Sequence, residues 1–259
     1  MFGMKQEYDK YTEADFLVWK LLYEKQMEVL PHRAAQTYLD GLKDMNFKAE
    51  EIPNFDYING VLSNTTGWQI EVVPGLIPDK EFFELLANKK FPSSTWLRKL
   101  EEIDYLEEPD MFHDCFAHMP LLINQFFVDY LQELSKIALK HIDDALAVEL
   151  IGRIYWFTVE FGLIQEPQGL RIYGAGILSS SGESIYCLGN DANRLKFNAK
   201  EILEKHYYKD HFQDRYYVIE SYKELFDEIP NFSSAIEYAL HKIPHQRDIY
   251  ATTLDINLD

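Results

Sequence analysis

The stretch Glu108-Pro-Asp-Met-Phe-His113-Asp-Cys-Phe-Ala-His118-Met-Pro120 sets two imidazoles five residues apart. Glu160 follows inside the aromatic run Tyr155-Trp-Phe-Thr-Val-Glu-Phe-Gly-Leu163. Two histidines and one carboxylate make a metal-binding face that leaves the opposite positions of an octahedral ion open. That is the arrangement of non-haem Fe(II) oxygenases. A carboxylate flanked by Trp156, Phe157, Val159 and Phe161 is costly to bury unless a cation or a strong donor meets it. An ion-pair reading stands beside this one, because Arg153 and Arg171 are both candidates to neutralise Glu160. Single histidines among apolar residues are also more often core or surface groups than ligands.

Spacing restricts the metal reading further. Five residues turn a regular α-helix by about 500°, so His113 and His118 would diverge by about 140°. They converge only if His113 stands at the helix start or the helix is distorted between them. Pro109 favours the first option, since proline suits the opening of a helix.

The elements that must position these groups are mainly helical. Residues 11–43 carry apolar positions at helical spacing, interrupted near Pro31, and predict two helices. A short helix is expected at residues 58–62. Residues 68–73 alternate and end at Pro74-Gly75, a strand followed by a turn. Helices are predicted at 79–88, 110–139 and 143–163, and a strand at 170–177 closed by the Gly174-Ala-Gly176 bend. No repeat, low-complexity tract or linker interrupts the chain. The reading is one mainly α domain with a few short β-strands, spanning residues 1–259.

Composition narrows the function classes. A chain of 259 residues can bury a sizeable core, and its 15% aromatic content makes that core rich in flat side chains. A formal net charge of −18 repels phosphate backbones, which argues against nucleic acid as a partner. No apolar run is long enough to cross a bilayer, and the N-terminus lacks a signal-peptide h-region. Two cysteines, Cys115 and Cys187, are too few for a disulfide framework, so the cytoplasm is expected.

Several blocks stand together in order: Trp96-Leu-Arg98, Tyr105-Leu-Glu-Glu-Pro-Asp-Met-Phe-His-Asp114, residues 154–163, and Tyr173-Gly-Ala-Gly-Ile-Leu-Ser-Ser-Ser-Gly-Glu183. Over about residues 68–221 the sequence resembles the tetrahydropterin-dependent aromatic amino acid hydroxylases, most of all the bacterial phenylalanine hydroxylases. Ordered blocks are more specific than any one motif. The resemblance implies the single-domain catalytic fold of that family, with Fe(II) held by His113, His118 and Glu160. It implies three small-molecule substrates: an aromatic amino acid, O2, and tetrahydrobiopterin or a bacterial equivalent. The expected reaction is L-phenylalanine to L-tyrosine, with the same chemistry on L-tryptophan as the alternative.

The resemblance also assigns roles. Arg98 would anchor the substrate carboxylate, which suits a planar guanidinium fork, and Asp110 would orient it. Tyr105, Trp156, Ser179 and Glu183 match the amino acid pocket. Gly75, Ile77, Phe82, Asp114 and Tyr155 match the pterin side, with Phe82 placed to stack on a flat heterocycle. Two positions depart from the family. Ala117 replaces the usual glycine before the second histidine, and Lys209 falls near a substrate-sorting position that is usually apolar in phenylalanine-specific members. The first helix begins near Thr12, which leaves no room for a regulatory domain, and nothing after Tyr250 resembles a tetramer-forming helix. A monomeric catalytic core is expected.

Two other classes remain. Cys115 lies three residues before His118, and sulfur with imidazole suits Zn²⁺, which keeps a zinc hydrolase open. No His-Glu-x-x-His helix supports it. A catalytically silent binding module of the same fold is the other; it would keep the ligands and consume no oxygen with pterin.

Overall fold

Thr12 starts α1 (Glu13–Met27) with a capping box: its hydroxyl accepts the Asp15 N–H, and the Asp15 carboxylate accepts the Thr12 N–H. A 3-10 turn at Leu30–His32 separates it from α2 (Gln36–Asp44), as the interruption at Pro31 predicts. The expected short helix is longer, α3 (Phe55–Thr65), because Asn54 caps it by accepting the Tyr57 N–H. The computed structural model describes residues 3–104, 106, 108–242 and 255–256.

The alternating segment is β1 (Gln69–Val72), and α4 (Asp79–Ala87) follows the Pro-Gly turn. β1 pairs in parallel with β2 (Lys90–Ser93), a strand the periodicity does not mark because it is short and holds a proline.

Residues 110–139 are not one helix. A π-helical stretch covers Phe112–His118, a 3-10 stretch covers Met119–Ile123, and only then does α5 (Gln125–Lys140) begin. Pro120 and Asn124 cause the breaks. Asn124 is extended, and its side chain accepts the Phe127 N–H to start α5 afresh. Residues 143–163 divide similarly. Asp144 caps α6 (Ala145–Tyr155), a π stretch continues over Trp156–Glu160, and Leu163 already belongs to β3 (Leu163–Glu166).

The strand expected at 170–177 is shorter, β4 (Gly169–Ile172). The chain then turns at Gly174 into α7 (Ala175–Leu178). A Cβ on Gly174 would fall 2.4 Å from the Glu160 carbonyl oxygen, so only glycine permits this crossing. The remainder comprises α8 (Ser181–Tyr186), β5 (Arg194–Lys196), α9 (Ala199–Glu204), β6 (Tyr216–Ile219), α10 (Tyr222–Asp227) and α11 (Ile229–Lys242).

A small sheet runs in the order β4-β3-β6-β5, antiparallel between β3 and β4 and parallel at the other two pairings. Helix α5 lies centrally, packed by α4, α6, α10 and α11. One continuous core joins these layers, and it is as aromatic as composition predicts. Phe112 stacks on Phe116 with centroids 4.7 Å apart, and Trp19 meets Phe112 edge-on at 5.3 Å. No helix among the described residues is long and apolar enough to cross a membrane.

Candidate active site

The π-helical stretches place the ligand candidates. A π-helix closes i→i+5 hydrogen bonds, so residues five apart share a face where an α-helix would splay them. The Nε2 atoms of His113 and His118 accordingly stand 3.2 Å apart. Glu160 ends the second π stretch and turns its carboxylate to both rings. Oε1 lies 3.1 Å from His118 Nε2 and Oε2 lies 3.6 Å from His113 Nε2. The three are the one group of its kind among the described residues, with ligand atoms within 4.8 Å of one another.

Neither arginine partner suggested by the sequence reaches Glu160. Arg153 pairs with Glu149 at 3.0 Å and donates to the Leu203 carbonyl, while Arg171 donates to the Leu170 and Gln168 carbonyls. Cys115, the residue behind the zinc reading, is buried and stands outside the converging group.

Hydrogen bonding fixes the His113 tautomer. The Ser179 hydroxyl donates to the Ala175 carbonyl at 2.9 Å and therefore accepts from His113 Nδ1–H, also at 2.9 Å. His113 Nε2 then keeps its lone pair for the site, the arrangement that orients metal-bound imidazoles. Burial pushes the His113 pKa down to about 4, against the pull of Glu160, so this ring is neutral at physiological pH. Burial would raise the Glu160 carboxyl, but His118, His113 and the Gly176 N–H outweigh it and hold the group below its ordinary value. Neutral imidazole beside ionised carboxylate is a donor set that fits a divalent cation.

Arg98 and Asp110 form a buried two-pronged pair. Nε donates to Oδ2 at 2.9 Å and Nη2 to Oδ1 at 3.0 Å, and Asp110 also accepts the His113 N–H. One carboxylate thus ties the guanidinium to the start of the first π stretch.

The turn after β1 holds Gly75 at φ +157°, and the Glu108 carboxylate accepts the Leu76 N–H beside it. Ile77 is half-buried in this turn. Phe82, at the head of α4, meets Tyr155 edge-on at 5.5 Å. Asp114 accepts the Ser94 N–H at 2.8 Å, and burial pushes its carboxyl up to about 7. Burial likewise pushes the Tyr155 phenol well up, with Glu160 and Asp114 adding to the effect.

Trp156 stacks on Tyr207, centroids 4.4 Å apart at 23°, and donates its indole N–H to Gln213 at 3.0 Å. Glu183 is buried and accepts from Tyr216 Oη and the Gln213 N–H, so Gln213 links it to the Trp156 indole. Lys209 is exposed, with Nζ 5.8 Å from the centre of the Tyr207 ring. Ala117 is fully buried beside His118. Tyr105 lies outside the described residues. Sequence reading missed Gln213 and Ser94, because neither sits in a periodic or motif-bearing run.

The sequence pattern of the biopterin-dependent aromatic amino acid hydroxylase family matches residues 2–256. The chain is 47% identical over 245 residues to the phenylalanine-4-hydroxylase of Ralstonia nicotianae, covering 94% of this chain and 78% of that one. The structure of Chromobacterium violaceum phenylalanine hydroxylase with iron(III) and oxidised 7,8-dihydrobiopterin aligns with a TM-score of 0.87 at 46% identity. The alignment covers 93% of this chain and 87% of that one. The iron- and phenylalanine-bound structure of the same enzyme aligns at 0.86 and 44% identity, over 93% and 88% of the two chains. The chain belongs to the biopterin-dependent aromatic amino acid hydroxylases.

Proposed function

We propose that this protein is an iron- and tetrahydropterin-dependent monooxygenase that converts L-phenylalanine to L-tyrosine with O2. The observation that carries the reading is the convergence of His113, His118 and Glu160 beside the Arg98–Asp110 pair, in a chain of this family. Those three residues would hold Fe(II). Bound with a reduced pterin, the iron supplies the activation of dioxygen.

The protein's own groups bind, orient and exclude water. Asp110 holds the Arg98 fork, and the fork's remaining N–H groups receive the substrate carboxylate. Trp156 walls the ring of the amino acid. Phe82, Tyr155 and the turn carrying Gly75 and Ile77 take the flat pterin, with Asp114 on its polar edge. Ser179 keeps the His113 lone pair aimed at the ion, and Glu183 supports the Trp156 wall through Gln213. Closely packed aromatic side chains keep the pocket dry.

The roles of a single catalytic domain over residues 1–259, a monomer and a cytoplasmic location extend the same reading. The charge of −18 supports the absence of a nucleic acid partner. Sedimentation of the purified chain tests the monomer.

The direct test of substrate is kcat/KM for phenylalanine, tyrosine and tryptophan with Fe(II), tetrahydropterin and oxygen. Phenylalanine is expected to be preferred; a higher value for tryptophan overturns the choice of substrate.

A further inference from the structure

Trp156 is held by three kinds of contact. Its ring stacks on Tyr207 and tilts against Phe161 with centroids 4.7 Å apart. Stacking fixes a ring's plane but resists sliding within that plane only weakly. The third contact is directional: the indole N–H donates to Gln213 Oε1 at 3.0 Å.

Gln213 is itself 2% exposed and fully engaged. Its Nε2 donates to the Tyr208 carbonyl at 2.6 Å and lies 3.4 Å from the His211 carbonyl, while its backbone N–H donates to Glu183 at 3.0 Å. The amide cannot be turned over. An indole N–H only donates and backbone carbonyls only accept, so Oε1 must face Trp156 and Nε2 must face Tyr208.

The segment between these anchors carries Tyr207 and Lys209. Its near end is pinned by Asp255, which accepts from the His206 N–H at 3.1 Å, contacts His206 Nδ1 at 2.7 Å and pairs with Lys205 at 3.0 Å. Its far end is pinned by Gln213 and Glu183. Tyr207 therefore sits on a segment fixed at both ends, and Gln213 is the residue that joins that segment to the Trp156 indole.

We infer that Gln213 is a positioning residue for the amino acid pocket: it sets the in-plane angle of Trp156 and so the fit of the substrate ring. The inference rests on the reading of Trp156 as a pocket wall. Lys209 shares this segment and is exposed, with Nζ 5.8 Å from the centre of the Tyr207 ring.

The test is the affinity of the iron-loaded protein for L-phenylalanine and, separately, for a tetrahydropterin, measured by calorimetry without turnover. Gln213→Met keeps the volume and removes the polar contacts. A lost neutral hydrogen bond predicts phenylalanine binding about threefold to tenfold weaker. Pterin affinity should change less than twofold, by about the usual scatter between independent sites. In steady state the KM for phenylalanine should rise more than kcat falls. Trp156→Phe removes the same bond from the other side and should also weaken phenylalanine binding. Adding Gln213→Met to Trp156→Phe should then cost nothing further. Equal weakening of both ligands by Gln213→Met, or its full effect persisting in the Trp156→Phe background, overturns the inference. If Gln213→Met does not fold, Trp156→Phe alone decides, and wild-type phenylalanine affinity in it overturns the inference. Wild-type affinity in Trp156→Ala as well would show instead that Trp156 is not a pocket wall.

Discussion

His113 Nε2 and His118 Nε2 stand 3.2 Å apart because the five-residue step from one to the other is one π-helical turn. The same spacing on an α-helix would send them apart. The distortion therefore brings the candidate ligands together, and each of them should matter. His113→Ala, His118→Ala and Glu160→Ala are each expected to lose iron while circular dichroism stays near that of the parent. Metal analysis checks this, and a variant that keeps stoichiometric iron and full turnover removes that residue from the set.

Ser179 should matter less than a ligand and more than a surface residue. It accepts from His113 Nδ1 and fixes the tautomer. Loss of such a partner typically costs about 10-fold to 100-fold in metal affinity. Ser179→Ala should show that loss in an iron-competition titration, with the ligands themselves intact. Unchanged affinity would mean the serine does not orient the ring.

Arg98 and Phe82 should separate the two organic substrates. Removing a partly desolvated arginine–carboxylate contact costs about 2–5 kcal/mol, more than tenfold in affinity. Arg98→Ala should raise the KM for the amino acid by at least that factor and leave the KM for pterin nearly unchanged. Phe82→Ala should do the reverse. Parallel changes in both constants would refute this division.

The sequence made the chemistry more legible than the geometry. The types and order of His113, His118, Glu160, Arg98 and Asp110 point to the site, and helical periodicity locates α1, α2, α4 and α5. Nothing in the periodicity marks the two π stretches, since an extra residue per turn does not disturb an apolar run. Short strands such as β2 and β5 carry too few residues to alternate. Gln213 escapes notice for another reason: its partners, Trp156 and Glu183, are 57 and 30 residues away. Lys209 raises a concern about selectivity in the sequence, and its exposed position 5.8 Å from the centre of the Tyr207 ring turns that concern into a test.

Lys209→Ile should leave the kcat/KM ratios among phenylalanine, tyrosine and tryptophan unchanged within about twofold, because an exposed, hydrated ammonium adds little to the contacts that discriminate apolar rings. A clear gain in preference for phenylalanine would place the lysine inside the pocket's influence.

Glu183 gives a dependence on pH. Burial raises its carboxyl above the ordinary value of 4.5, against the lowering pull of Tyr216 and the Gln213 N–H. The folded state thus holds this proton more tightly than the unfolded chain. Its contribution to stability is full below about pH 4.5 and is lost as pH rises through the raised folded value. Glu183→Gln removes that loss. The melting temperature of the variant, measured against the parent, should rise across that window and then level off. A difference independent of pH would contradict the assignment.

The most direct test of the account is tyrosine formation from L-phenylalanine by the protein loaded with Fe(II), beside the same protein loaded with Zn²⁺. With tetrahydropterin and oxygen present, the iron form should produce tyrosine and the zinc form none, and omission of pterin should stop the iron form. Stoichiometric iron with saturating pterin and no tyrosine, or tyrosine from the zinc form, would contradict it.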